Sequence, residues 1–134
     1  MKWSERYATG VESLDRQHRM LFQMSEDYRE TLTEGRGDRV YGVMLEGLDS
    51  YARGHFGLEE QCMHRYQCPV AQANSEAHAE FVHALAEFAA RHAARGFDAV
   101  DALRLVDFVD SWLANHIGGI DTQLRPCVEN PPAT

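Results

Sequence analysis

Apolar residues recur every three or four positions through most of the chain, which is the period of an amphipathic α-helix. The first such stretch follows a segment without this period and ends at Gly35, a residue that tolerates the left-handed backbone common just past a helix. We therefore predict an N-terminal arm of residues 1–14 and a first helix at about 15–34, capped by Ser13 or Asp15. The predicted inward positions of this helix are Leu14, His18, Leu21, Phe22, Ser25, Tyr28 and Leu32.

Three further stretches with the same period predict helices at about 38–66, 70–94 and 98–117, followed by a non-helical tail of residues 118–134. Asp38 and Asp98 are good N-terminal caps, because a short side-chain oxygen can accept from the free amides of a first turn. Pro69 and Gly96 mark the ends of two of these helices. The inward positions are Val40, Met44, Leu48, Tyr51, His55, Glu59 and Met63, then Asn74, His78, Phe81, Leu85, Phe88 and His92, then Val100, Leu103, Val106, Val109, Leu113, His116 and Ile120.

Four amphipathic helices joined by short links favour one architecture. Each helix must bury its apolar face, and short links place successive helices side by side in opposite directions. We therefore predict an all-α, antiparallel up-down-up-down four-helix bundle with an N-terminal arm. The length of 134 residues and the single continuous pattern predict one domain covering residues 1–134.

The charge and composition of the chain exclude several classes of function. A net charge of −8 argues against nucleic acid or an anionic membrane as a partner, since both require clustered Lys and Arg. The sequence contains no apolar run near 18 residues, and its first residues lack the apolar stretch of a secretory signal. Three cysteines without a CxxC pair predict reduced thiols, and together these features predict a cytoplasmic protein.

Polar residues on the predicted inner faces are the exception in this pattern. Each helix places one histidine of a group of four on its inner face, and two carboxylates, Glu59 and Asp121, lie four and five residues after two of these histidines. Buried charges are costly unless they are paired or bind a metal. Imidazole and carboxylate without thiolate suit iron, manganese or zinc, so the residues alone predict a buried site for one or two metals. The four histidines are His18, His55, His78 and His116.

Three segments resemble the signatures of the hemerythrin family: residues 14–19 (LDRQHR), 55–60 (HFGLEE) and 116–121 (HIGGID). The resemblance extends over nearly the whole chain, from Trp3 and Gly10 to Cys127, with the same order and spacing. It implies a non-haem di-iron centre that binds dioxygen between the helices.

The resemblance also implies a role for each of these residues. Two irons would be joined by an oxo bridge and by the carboxylates of Glu59 and Asp121. His18 and His55 would hold the iron that keeps an open position for dioxygen, and His78 and His116 would hold the other. Phe56, Trp112 and Leu113 are similar in placement to residues that wall the oxygen pocket, although each is equally explained as ordinary core.

The chain departs from the family at Asn74. The family has a histidine four residues before the one that corresponds to His78, and here that position holds an asparagine. A neutral amide oxygen is a weaker donor to iron than imidazole, so Asn74 either offers a poor seventh ligand or leaves room for a water. We therefore expect an exchangeable position on each iron. The remaining histidines are expected in surface or structural roles, with His64 paired to Glu60; they are His64, His83 and His92.

The leading function is reversible binding of dioxygen for storage, delivery or sensing, with dioxygen or small anions as ligands. No further inward acid or histidine is expected near the site as a proton relay, which favours a carrier over an enzyme. The opening at Asn74 motivates the main alternative, a di-iron oxidase or peroxidase. A regulatory module acting on a separate protein partner and a mononuclear or zinc site also remain open.

Overall fold

A computed structural model describes residues 2–129 and contains five α-helices. Their bounds are α1 Glu12–Thr33, α2 Tyr41–Arg65, α3 Ala71–Arg95, α4 Ala99–Gly119 and α5 Leu124–Glu129. Three 3₁₀ turns, Glu5–Tyr7, Gly37–Arg39 and Asp121–Gln123, lie before α1, before α2 and between α4 and α5. The described part of the chain contains no strand, and none of its helices is long and apolar enough to cross a membrane.

The four long helices form a closed ring of neighbours. α1 packs against α2 and α4, and α3 packs against the same two helices. Links of only a few residues join each helix to the next, so successive helices run in opposite directions. The predicted all-α, antiparallel four-helix bundle is confirmed.

The apolar core consists of two clusters that lie at different heights in the bundle. The larger cluster contains fully buried residues such as Phe22 of α1, Phe81 of α3 and Leu113 of α4. The smaller cluster contains Leu14 and Met63, together with Cys68 and Leu124 from the end where α2, α3 and α5 meet. Along α1, α2 and α4, polar inward residues lie between the two clusters.

The predicted start of α1 is wrong by one turn. α1 begins at Glu12 after Val11, and no side chain caps its first turn. Asp15, expected as a possible cap, lies inside the helix, where its Oδ1 accepts from the backbone N–H and the hydroxyl of Thr9, at 2.8 and 2.9 Å. This carboxylate therefore fixes the arm to α1 instead of capping the helix.

The two other predicted caps have different outcomes. Asp98 caps α4 as predicted, because its Oδ1 accepts from the backbone amides of Val100 and Asp101 at 2.9 and 3.2 Å. Asp38 does not cap α2, since it lies in a 3₁₀ turn and the helix begins after Val40 without a side-chain cap.

Three predicted inward positions face solvent. Val40, Val100 and Leu103 are 37%, 61% and 37% exposed, whereas Ala102 and Leu105 are buried. At the start of α4 the sequence offers apolar residues on more than one face, and the small side chain of Ala102 permits a closer approach to the neighbouring helices. The apolar period alone therefore predicts the wrong residues of this turn as inward.

The segment after α4 differs most from the prediction. Residues 124–129, predicted as non-helical, form α5, and Leu124 at its start is fully buried. Pro126 lies in the first turn, where its missing N–H breaks no helical hydrogen bond. Residues 130–134 of the predicted tail lie outside the described residues.

Cys127 of α5 forms a disulfide with Cys68, which lies just before α3. The prediction of reduced thiols is therefore wrong for this pair, and only Cys62 is a free thiol among the described cysteines. The pairing could not be read from spacing, since 59 positions separate the two residues. The cytoplasmic location stays a prediction and loses the support that reduced thiols gave it.

Candidate metal centre

Six polar side chains meet in the bundle between the two apolar clusters. Each is at most 5% exposed. They are the six residues singled out from the sequence as metal ligands: His18, His55, Glu59, His78, His116 and Asp121.

The helices bring these side chains to one height. His55 and Glu59 lie one turn apart on α2 and therefore point to the same side of that helix. His78 of α3 and His116 of α4 complete the ring with His18 of α1. Asp121 does not belong to a long helix; the 3₁₀ turn after α4 directs its carboxylate back towards the bundle axis.

The Glu59 carboxylate lies at the middle of this group, and its two oxygens face different histidines. Oε2 lies 2.9 Å from Nε2 of His18 and 3.4 Å from Nε2 of His55. Oε1 lies 3.0 Å from Nε2 of His78 and 3.9 Å from Nε2 of His116. One carboxylate is therefore shared between two pairs of imidazoles.

The Asp121 carboxylate is shared in the same way. Its Oδ2 lies 3.2 Å from Nε2 of His18, and its Oδ1 lies 3.0 Å from Nε2 of His116. The donor atoms accordingly form two groups, each within 4.8 Å: one contains His18 and His55, the other contains His78 and His116, and both contain Glu59 and Asp121. This is the arrangement expected for two metal positions bridged by two carboxylates.

Several donor atoms of the group lack hydrogen-bond partners, which tests whether metal ions fit. Nε2 of His116 and both carboxylate oxygens of Asp121 are buried without a hydrogen bond among the described residues, although Oδ1 of Asp121 lies 3.0 Å from Nε2 of His116. Buried polar atoms are normally satisfied. These unsatisfied atoms belong to donor groups whose ligand atoms lie within 4.8 Å of one another, so the donor set fits bound cations.

The pKa values of the group show how strongly the site favours positive charge. Burial lowers the pKa of His18, but the carboxylates of Asp121 and Glu59 outweigh burial and raise it to about 9. The balance for His116 is the same and also gives a pKa of about 9. Burial raises the pKa of Glu59, but interactions with the four imidazoles hold it well below its ordinary value.

His55 differs from these two histidines. Burial dominates and lowers its pKa, although Glu59 opposes this effect. Its Nδ1 lies 2.7 Å from Oε1 of Gln17, which fixes the ring and directs Nε2 towards the centre. A neutral imidazole held in this way is the form that ligates a metal.

His78 has a carboxylate behind it. Its Nδ1 is buried, and Oε1 of the half-buried Glu60 lies 3.5 Å away. The prediction excluded only inward acids, and Glu60, whose side chain is 39% exposed, reaches the site from beside the inner face. The predicted pairing of Glu60 with the exposed His64 is not found among the described residues. Sequence reasoning missed Glu60 because it is one residue off the inner face of α2, where a side chain from α3 can still reach it.

Asn74 lies one turn before His78 on α3 and is fully buried. Neither its amide oxygen nor its amide nitrogen has a hydrogen-bond partner among the described residues. An unpartnered buried amide is rare in folded proteins.

Aromatic rings cover one half of the centre. Phe56 stacks on His78 with ring centroids 3.8 Å apart and an angle of 7° between the planes. Trp112 stacks on His116 at 4.3 Å and 20°. Leu113 is fully buried in the larger apolar cluster. The two aromatic side chains thus lie against the His78 and His116 half, and the role of all three as walls of an oxygen pocket stays a prediction.

The other histidines of the helices lie away from the centre. His83 is exposed and pairs with Glu87 at 2.9 Å. His92 packs edge-on against Tyr41 near the other end of the bundle, with ring centroids 5.1 Å apart. Both therefore have the surface or structural roles predicted for them.

Comparisons with known proteins agree with this architecture. A sequence model described as the hemerythrin HHE cation binding domain matches residues 9–128. A bacteriohemerythrin from Stenotrophomonas maltophilia is 32% identical over 119 residues, which cover 89% of this chain and 75% of the relative. A second one, from Methylococcus capsulatus, is 29% identical over 130 residues, which cover 96% of each chain.

The fold is also similar to that of a solved protein. A crystal structure described as wild-type hemerythrin matches with a TM-score of 0.83 and 27% identity, over 96% of this chain and 97% of that one. The family match spans most of the sequence and includes all six convergent donors. This chain is a member of the hemerythrin family.

Proposed function

We propose that this protein binds dioxygen reversibly at two non-haem irons. The observation that carries the proposal is the sharing of Glu59 and Asp121 between two groups of histidines. A mononuclear site would need only one of these groups. Two carboxylates in bridging positions support a pair of ions, and nitrogen and oxygen donors without thiolate suit iron.

The six residues divide into two sets of donors. His18 and His55 would hold one ion and His78 and His116 the other, and the carboxylates of Glu59 and Asp121 belong to both sets. A ferrous pair supplies the electrons and the coordination position that dioxygen binding requires. The protein supplies donors of fixed orientation, and Gln17 behind His55 contributes to that orientation.

The apolar clusters on both sides of the centre support carriage of dioxygen. Leu14 and Met63 close one side, and Phe56 and Leu113 close the other, each at most 5% exposed. Such an enclosure excludes bulk water and the protons that would divert bound dioxygen into further chemistry. A closed, dry site therefore favours release of unchanged dioxygen.

The test is a count of iron with an optical spectrum before and after air. We expect two irons per chain after purification of the native protein, and a new visible absorption on exposure to air that disappears when oxygen is removed. The exposed His83 provides a matched control, since His83→Ala should behave like the parent protein. One metal per chain, zinc in place of iron, or a spectrum that air does not change would refute the proposal.

A second candidate function is reduction of dioxygen or peroxide by the same ions. The position of Glu60, 3.5 Å from the outer nitrogen of His78, favours it because a half-buried carboxylate can pass protons between solvent and a closed site. Steady consumption of peroxide with a reductant, lost in Glu60→Gln but not in His83→Ala, would favour this enzyme over a carrier.

A further inference from the structure

The half of the centre formed by His78 and His116 contains a fully buried amide. Asn74 is 0% exposed, and its amide oxygen and amide nitrogen both lack partners among the described residues. The side chain lies four residues before His78, so the two share the inner face of α3. An amide that is both buried and free points to a ligand that enters this half of the centre.

The two halves have the same number of protein donors. Each contains two imidazoles and a share in both carboxylates, so neither ion is closed by the protein. Iron in a site of nitrogen and oxygen donors accommodates six donors. The half next to Asn74 therefore has a coordination position to fill, as the half with His18 and His55 does.

The charge of the centre favours an anion in that position. Two ferric ions bound here would carry more positive charge than the carboxylates of Glu59 and Asp121 can balance, and the site is too deeply buried for water to screen the excess. Phe56 and Trp112 cover the rings of His78 and His116 and restrict this half to a ligand of a few atoms.

From these observations we propose that Asn74 forms a second exogenous-ligand position, which takes a small monovalent anion at the ion held by His78 and His116. The amide N–H of Asn74 donates a hydrogen bond to this anion. The inference rests on the proposed di-iron centre and adds to it a second ligand, bound at the ion away from His18 and His55.

Azide is the probe, because it is small, singly charged and visible in the infrared. Titration of the diferric protein by calorimetry, with iron counted in the same sample, should give two azides per iron pair and two azide stretching bands. Asn74→His adds an imidazole to this half and should give one azide and one band. Asn74→Leu keeps the volume without the donor, and should bind the second azide about tenfold more weakly, as expected for the loss of one hydrogen bond.

The possible results separate this inference from the function on which it rests. Fewer than two irons per chain, found before any azide is added, would overturn the proposed function and this inference with it. Two irons with a single azide in the parent protein would overturn only the second position. Equal azide affinity in Asn74→Leu and the parent, or a gain of a second azide only in Asn74→Leu, would show that Asn74 does not donate to an anion. The number of azides bound by the parent protein tests the second position even if a variant fails to fold.

Discussion

Removal of the disulfide between Cys68 and Cys127 should lower the thermal stability of the protein by a predictable amount. The bond ties α5 to the segment that precedes α3, and it therefore fixes the last described helix to the end of the bundle. The double variant Cys68→Ala/Cys127→Ala breaks this tether and leaves every donor of the metal centre in place.

The magnitude follows from the loop that the bond closes. The two residues are 59 positions apart, and the chain-entropy relation gives about 4 kcal/mol for a loop of this length, against measured effects of typically about 2–4 kcal/mol. A chain of 134 residues has an unfolding entropy of about 0.28 kcal/mol/K near 60 °C. The double variant should therefore unfold about 7–14 °C below the parent.

Scanning calorimetry of samples with equal iron content measures this difference. Cys62 is the matched control, since its free thiol packs against the same apolar cluster and takes part in no disulfide. Cys62→Ala should change the unfolding temperature by much less than the double variant does. A reductant should lower the unfolding temperature of the parent protein but not that of the double variant. If parent and double variant unfold at the same temperature, the tether does not constrain the unfolded chain and the reasoning is wrong.

Three further predictions test the core, a helix cap and the centre. Leu113→Ala, at a fully buried position of α4, should cost about 3–5 kcal/mol and lower the unfolding temperature by at least about 10 °C in a calorimetric scan. Asp98→Ala removes the acceptor of two backbone amides and should cost about 1 kcal/mol in a urea titration, with no change in the slope m. His78→Ala should reduce iron per chain in elemental analysis, whereas the exposed His83→Ala should not, and equal losses in both would contradict the assignment of donors.

The long helices could be predicted from the sequence because each has to bury one face. Their apolar period is sustained over more than twenty residues, so errors of a few residues at the ends do not change the architecture. Which residues of a helix face the core was harder to predict than the helix itself. At the start of α4, apolar side chains on several faces concealed that Ala102 and Leu105, and not Val100 and Leu103, enter the core.

The donors could be predicted for the opposite reason, since they interrupt the apolar faces. A histidine such as His18 between Leu14 and Leu21 is costly to bury unless it has a partner, and this makes it conspicuous. Glu60 carries no such signal, because it lies beside the inner face and only the approach of α3 brings it to His78.

The region after α4 could not be predicted for two physical reasons. α5 has only six residues, too few for a helical period to stand out. The disulfide depends on the complete fold, which brings Cys127 to Cys68 from far away in sequence. Contacts between distant segments leave no local pattern for sequence reasoning to detect.

The donors of the centre are distributed over the chain from residue 18 to residue 121, with at least one on each of the four long helices. His18, Glu59 and His78 lie at least six residues inside the ends of their helices, so fraying of those ends leaves them in place. His116 and Asp121 lie in the last turn of α4 and in the turn after it, so opening of that one end removes two donors at once. The lifetime of bound metal in this protein should therefore follow the rate of local opening at the end of α4, and the ions should in turn slow hydrogen exchange in that last turn.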